Sequence, residues 1–129
     1  MTQLRIAEAA SLLGVSDDTL RRRIDRGRLT ATTDEGGRKV VAGADVAELA
    51  RRLAQDEPGD RRALSARNRF LGLVTKVTSD VVMSQVELQC GRFRVVSLIS
   101  TEAVRELGLE VGSLAVAQVK ATNVVIEAP

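Results

Sequence analysis

Two groups of residues carry the chemistry available to this chain. The first is a run of guanidinium groups, Arg21-Arg22-Arg23, Arg26 and Arg28, joined further along by Arg38 and Lys39. A guanidinium is a planar fork of donors that matches two phosphate oxygens or the O6/N7 edge of a guanine. The second group is spread over the later half: Ser65-Ala66-Arg67-Asn68, Ser100-Thr101 and Lys120-Ala121-Thr122. Two cations, several hydroxyls and the open N–H groups of a helix start are what an oxyanion requires, charge plus directed donors and no acid. Ser, Thr and Lys at strand ends are also ordinary solvated turn residues. A charge run on a helix is often only a solvated face. Residue type alone leaves both pairs of readings open.

Composition narrows the classes. The chain has 129 residues, 44% hydrophobic and 28% charged, which is the make-up of a soluble globular protein of one or two small units. Bases number ten against eight acids in residues 1–54, and nine of each follow. There is no His, Trp or Tyr, which removes any His-based triad, any His-ligated metal and any C2H2 finger. Two Phe residues make poor stacking platforms for single-stranded nucleic acid. Cys90 is alone, so it is expected in a core rather than in a disulfide or a CxxC site. No apolar run is long enough to span a bilayer, and no signal-peptide pattern opens the sequence. The expectation is a cytoplasmic binding protein, neither an enzyme nor a membrane protein, with no catalytic residue, no organic cofactor and no directly ligated metal.

These groups need elements to position them. Ile6, Ala9, Ala10 and Leu13 follow helical spacing, and Gly14 ends that helix. Ser16 is a good N-cap for a second helix, Asp17–Arg26, with Asp17 and Asp18 in its first turn and Gly27 past its end. The short Gly14-Val15-Ser16 connection is helix-turn-helix spacing. With Leu20 and Ile24 facing a core, Arg22 points outward, flanked by Asp18, Thr19 and Arg26, with Arg21 and Arg23 at the sides. Leu29–Thr33 and Arg38–Val41 flank Asp34-Glu35-Gly36-Gly37 as a small hairpin. A third helix, Ala44–Ala54, follows, with Asp45 and Glu48 as a capping box.

From Ile6-Ala7-Glu8-Ala9-Ala10 through Gly14-Val15-Ser16, Leu20-Arg21-Arg22, Gly27-Arg28-Leu29 and Gly36-Gly37-Arg38, the segment resembles the winged helix-turn-helix of MerR-type and excisionase-type regulators. The resemblance implies that the second helix is a recognition helix and the hairpin a wing. Asp18, Thr19, Arg21, Arg22, Arg23, Arg26, Arg28, Arg38 and Lys39 are then the residues at double-stranded DNA. Arg23 stands where that family often has an aromatic.

The polar Gln55-Asp56-Glu57-Pro58-Gly59-Asp60 stretch reads as a linker, placed at residues 55–64 between units at 1–54 and 65–129. Beyond it come short Val-rich strands: Phe70–Thr78, Val81–Cys90, Arg92–Ile99, Ser113–Lys120 and Val124–Glu127, with one helix at Thr101–Leu107. The whole chain is thus expected to be α+β, a winged helix-turn-helix followed by a five-stranded OB-like barrel.

The segments Ser65-Ala66-Arg67-Asn68, Gly72-x-Val74, Leu98-Ile99-Ser100, Leu107-Gly108-Leu109 and Val119-Lys120-Ala121-Thr122 resemble the Mop, or TOBE-type, molybdate-binding domain. That resemblance implies molybdate or tungstate bound at subunit interfaces by Ser65, Ala66, Arg67, Ser100, Lys120 and Ala121. Ser100 stands where the family usually has Thr, and Ala103 where it often has Ser. The combined expectation is a one-component regulator that senses the oxyanion, assembled as a hexamer of three dimers or as a plain dimer. The competing expectation is a storage or buffering protein of the molbindin type whose basic segment plays little part.

Overall fold

A computed structural model describes residues 2–55 and 66–129, in two compact units, Met1–Arg61 and Arg62–Pro129. The expected linker from residue 56 onward, and Ser65, lie outside the described residues.

The N-terminal unit runs β1 (Gln3–Arg5), α1 (Ile6–Leu13), α2 (Asp17–Asp25), β2 (Ala31–Thr33), β3 (Lys39–Ala42) and α3 (Gly43–Gln55). Helix α1 buries Ile6, Ala9 and Ala10, the stripe its spacing marks. It stops at Gly14, whose φ of 70° is left-handed. The N–H groups of Gly14 and Val15 close on the carbonyls of Ser11 and Ala10 at 3.2 and 3.0 Å. Ser16 then starts α2, its Oγ accepting from the Thr19 N–H at 3.1 Å. Leu20 is fully buried and Ile24 packs against the same cluster with Leu29, Val41 and Val46. Strands β2 and β3 form a hairpin closed by the Asp34 carboxylate, which accepts the Arg38 N–H at 2.9 Å.

Two features of this unit depart from expectation. Strand β1 pairs with the far side of β3, giving the order β1-β3-β2. Three residues carry no readable period, and only the ladder makes them a strand. Helix α3 begins at Gly43, so Asp45 sits inside its first turn. Glu48 turns to Arg51 and Arg52, at 2.7 and 3.3 Å, instead of closing a capping box.

The C-terminal unit runs β4 (Asn68–Ser79), β5 (Met83–Cys90), β6 (Phe93–Ser100), α4 (Thr101–Leu107), β7 (Leu114–Val119) and a 3-10 turn at Ala121–Asn123. The sheet is antiparallel, in the order β6-β5-β4-β7. A register shift between Val74 and Lys76 inserts one residue into β4, which bends the strand. Gly72 permits a close approach: a Cβ there would lie 2.6 Å from Cys90 Sγ and 3.0 Å from the Gln89 carbonyl oxygen. Val74, Val86, Leu88, Cys90 and Val104 make the core.

The fold is α+β, but the expected five-stranded barrel is corrected to four hydrogen-bonded strands. Val124–Glu127 forms no strand, and Val125 and Ile126 stand 91% and 86% exposed. A short apolar run makes a strand only where a partner offers a free edge, and no described residue of the unit pairs with this one. An apolar hollow of about 420 Å³, lined by residues including Leu88, Val95, Ile99, Leu109 and Leu114, stays open along the sheet. Strand β5 also begins two residues later than expected. The Asp80 carboxylate accepts the N–H groups of Val82 and Met83 at 2.8 and 2.7 Å and makes a turn of that segment. No described helix is long and apolar enough to cross a membrane.

Candidate functional site

The basic surface is built by α2 and the hairpin. Burying Leu20 turns the opposite side of α2 outward, so Asp18, Arg21, Arg22 and Arg26 are exposed, as are Arg28, Arg38 and Lys39. Thr19 and Arg23 are half-buried. The Thr19 hydroxyl lies 2.9 Å from Ser16 Oγ, so it belongs to the helix cap as well as to the surface. Arg21, Arg38 and Lys39 meet around one cleft of about 370 Å³. Arg28 lines a separate hollow of about 200 Å³ beside Asp45 and Glu48. Glu48 is held below the usual carboxylate range, first by its hydrogen bond from Arg51. Arg5 also lines the first cleft and is the residue that sequence reasoning missed. It precedes α1 with no helical or charge-run signal, and only the β1–β3 ladder, which pairs Arg5 with Val40, brings it beside Lys39.

The residues expected at the oxyanion divide into two places. Asn68 pairs with Val119, and its side-chain N–H₂ donates to the Val119 carbonyl at 3.0 Å. Ala66-Arg67 and Lys120-Ala121 therefore leave the sheet together at the β4–β7 end, Arg67 and Lys120 exposed and Ala66 half-buried. The 3-10 turn there is closed by the Asn123 N–H donating to the Lys120 carbonyl at 2.9 Å. Ser65 lies outside the described residues.

Ser100 sits at the opposite end of the sheet. It pairs with Met83, while Ser84 pairs with Ser79, the last residue of β4. The whole length of β4 thus separates it from Arg67 within one chain. Ser100 caps α4, its Oγ accepting the Ala103 N–H at 3.0 Å. The neighbouring Thr101, buried, fixes this helix start. Its Oγ1 donates to the Asp80 carbonyl at 2.9 Å and shares a 2.8 Å contact with Ser84 Oγ, and its N–H donates to the Val82 carbonyl at 2.8 Å. The Asp80 carboxyl is held below its ordinary range by the Met83 and then the Val82 N–H groups. Asp80 escaped the sequence reading, although an Asp two residues before the N–H that donates to it is a legible turn signal. Among the described residues no cluster of Cys, Asp and Glu is arranged to hold a metal ion.

A helix-turn-helix domain family matches residues 4–54, and the TOBE domain family matches residues 64–126. The N-terminal match is excisionase-like and does not single out the MerR type. Both are domains of non-catalytic type. Molybdenum-pterin-binding protein 2 of Clostridium pasteurianum is 39% identical over 65 residues, covering 50% of this chain and 96% of its own length. A molybdate binding protein from Sporomusa ovata has a similar structure, with a TM-score of 0.50 and 25% identity over 52% of this chain and 100% of that one. The cytoplasmic molybdate-binding protein ModG, solved with molybdate bound, gives a TM-score of 0.51 and 37% identity over 54% of this chain and 50% of its own. Through its C-terminal part, the chain belongs to the TOBE-domain family of the molybdenum-pterin-binding proteins.

Proposed function

We propose that this chain is a one-component transcriptional regulator that binds operator DNA through its N-terminal unit and senses molybdate or tungstate through its C-terminal unit. The observation that carries the reading is the union of both in one chain: a helix-turn-helix match with an Arg-lined free face on α2, and a TOBE match whose sheet end holds Arg67 beside Lys120. In this reading α2 is the recognition helix and the β2–β3 hairpin the wing of an excisionase- or MerR-like domain. Guanidinium groups from both reach bases and phosphates. The protein works in the cytoplasm and controls genes for oxyanion uptake or molybdenum-cofactor synthesis.

The anion site takes Ser65, Ala66, Arg67, Lys120 and Ala121 from one chain and Ser100 from another. The separation of Ser100 from Arg67 by the length of β4 supports an intermolecular site. Molybdate and tungstate share charge and shape, so the same donors serve both. The exposed Leu71, Leu98, Leu114, Phe93, Val125 and Ile126 support a homo-oligomer, a hexamer of three dimers before a plain dimer. Burying each such side chain stabilises by roughly 1.5–3 kcal/mol. Six together reach about 9–18 kcal/mol, enough to offset an association cost of about 4–15 kcal/mol. In such an assembly Val124–Glu127 of one copy completes the sheet of another, which supplies the fifth strand.

Sensing requires the anion to bind the DNA-competent and incompetent states with different affinity. Fluorescence anisotropy on operator DNA, with and without saturating molybdate, checks this. The expected result is a severalfold change in DNA affinity, and an unchanged affinity rejects the sensor. A storage role is the second reading. It is supported by the coverage of a molybdenum-pterin-binding protein over 96% of its length by half of this chain, since ligand binding there needs no DNA-binding unit. A parent and an Arg21/Arg22/Arg26→Ala variant that bind DNA equally poorly at moderate salt, while both bind molybdate in calorimetry, decide for storage.

A further inference from the structure

We propose that the cleft between the start of α1, α2 and β3 seats a phosphodiester group of duplex DNA, with Arg5 as one of its cations. This rests on the DNA-binding reading above and adds a residue and a division of labour to it. The cleft encloses about 370 Å³, and Arg5, Arg21, Arg38 and Lys39 line it against the single carboxylate of Asp17. The four cations come from three separate stretches of chain. Arg5 ends β1, Arg21 lies on α2, Arg38 closes the hairpin turn and Lys39 opens β3. Pairing of Arg5 with Val40 sets the first beside the last.

None of these four side chains makes a hydrogen bond or an ion pair among the described residues, whereas Arg51, Arg52 and Arg94 are all paired with glutamates. Four converging cations facing one carboxylate repel one another, and an anion in the cleft relieves that repulsion. Ile6 and Ala7 from the first turn of α1 line the same cleft, and no side chain caps that end. Its N–H groups add to the positive potential.

A phosphate contact fixes register and carries no base information. The cleft therefore assigns Arg5, Arg21, Arg38 and Lys39 to positioning the duplex. It leaves Arg22 and Arg26, which do not line it, to the base edges.

Binding of a short duplex of arbitrary sequence, followed by anisotropy across a KCl series, counts these contacts. The slope of log affinity against log salt is about 0.9 per phosphate engaged. Arg5→Ala and Arg5→Gln are expected to lower the slope by about one, Arg5→Lys to keep it, and Arg51→Ala on α3 to leave it unchanged. A wild type that binds with a clear salt slope while Arg5→Ala keeps the same slope overturns the cleft alone. So does Arg51→Ala lowering the slope as much as Arg5→Ala, since the effect is then one of net charge. Arg5→Ala that keeps the wild-type slope for the duplex yet loses affinity for inorganic phosphate in calorimetry assigns the cleft to a free oxyanion and overturns it too. A wild type that ignores the duplex overturns the DNA-binding reading itself, and the cleft with it.

Discussion

The two units of this chain solve the burial problem differently. The N-terminal unit closes its core with its own residues: Ile6, Ala9, Ala10, Leu20, Leu29, Val41 and Val46 are buried, and Leu12 is the one large apolar side chain it exposes among the described residues. The C-terminal unit is of similar length and leaves Leu71, Leu98, Leu114, Val125 and Ile126 in solvent, beside an open apolar hollow. Three short helices can bury one stripe each against a small sheet within about fifty residues. A four-stranded curled sheet with one seven-residue helix has two faces and two edges to cover and lacks the chain to do it. The difference teaches that the first unit buries its apolar residues by itself, whereas the second leaves apolar surface uncovered, which supports the proposed assembly.

The sharpest way to break the comparison is to cavity-damage the closed core. Leu20→Ala is expected to cost about 2–5 kcal/mol. It should lower the first of two thermal transitions and leave molybdate binding in calorimetry intact, and a simultaneous loss of both would contradict separate cores. Next in size is Gly72→Ala, whose Cβ must displace Cys90 Sγ. Overpacking of about 1–3 kcal/mol should appear in the C-terminal transition, and Cys90→Ala in the same chain should recover part of it. Ser16→Ala removes the acceptor of the Thr19 N–H and should cost about 1 kcal/mol in the N-terminal transition alone.

Val125→Asp with Ile126→Asp tests the open unit. Both positions are solvent-exposed, so stability within a chain should move by less than about 0.5 kcal/mol. Sedimentation should nevertheless shift from oligomer to smaller species. The smallest effect is on pH dependence. The Asp80 carboxyl is lowered in the folded state by the Met83 and Val82 N–H groups. Its contribution is therefore present above the ordinary carboxylate range and lost as the pH falls through the folded value. Asp80→Asn should unfold more easily than the parent at neutral pH, and the gap should close in acid.

The local chemistry was legible in the amino acids. Ile6, Ala9 and Ala10 at helical spacing, Ser16 as a cap, Gly14 at a left-handed stop and Leu20 opposite Arg22 each act within a turn or two of chain, and the helices α1, α2 and α4 fall close to where those signals put them. The Arg-rich face followed directly, because burying Leu20 fixes the direction of every other α2 side chain. What the spacing could not reveal was pairing between distant segments. Strand β1 exists because β3 offers an edge, and Arg5 reaches the basic cleft only through that ladder. Val124–Glu127 is a short apolar run that reads as a strand and remains unpaired among the described residues. Arg67 and Lys120 come together while Ser100 ends up at the other end of the sheet, a partition set by strand order. Periods and caps are written in neighbouring residues, whereas a hydrogen-bonded ladder is a contract between strands far apart in the chain, and only the folded sheet decides which residues it joins.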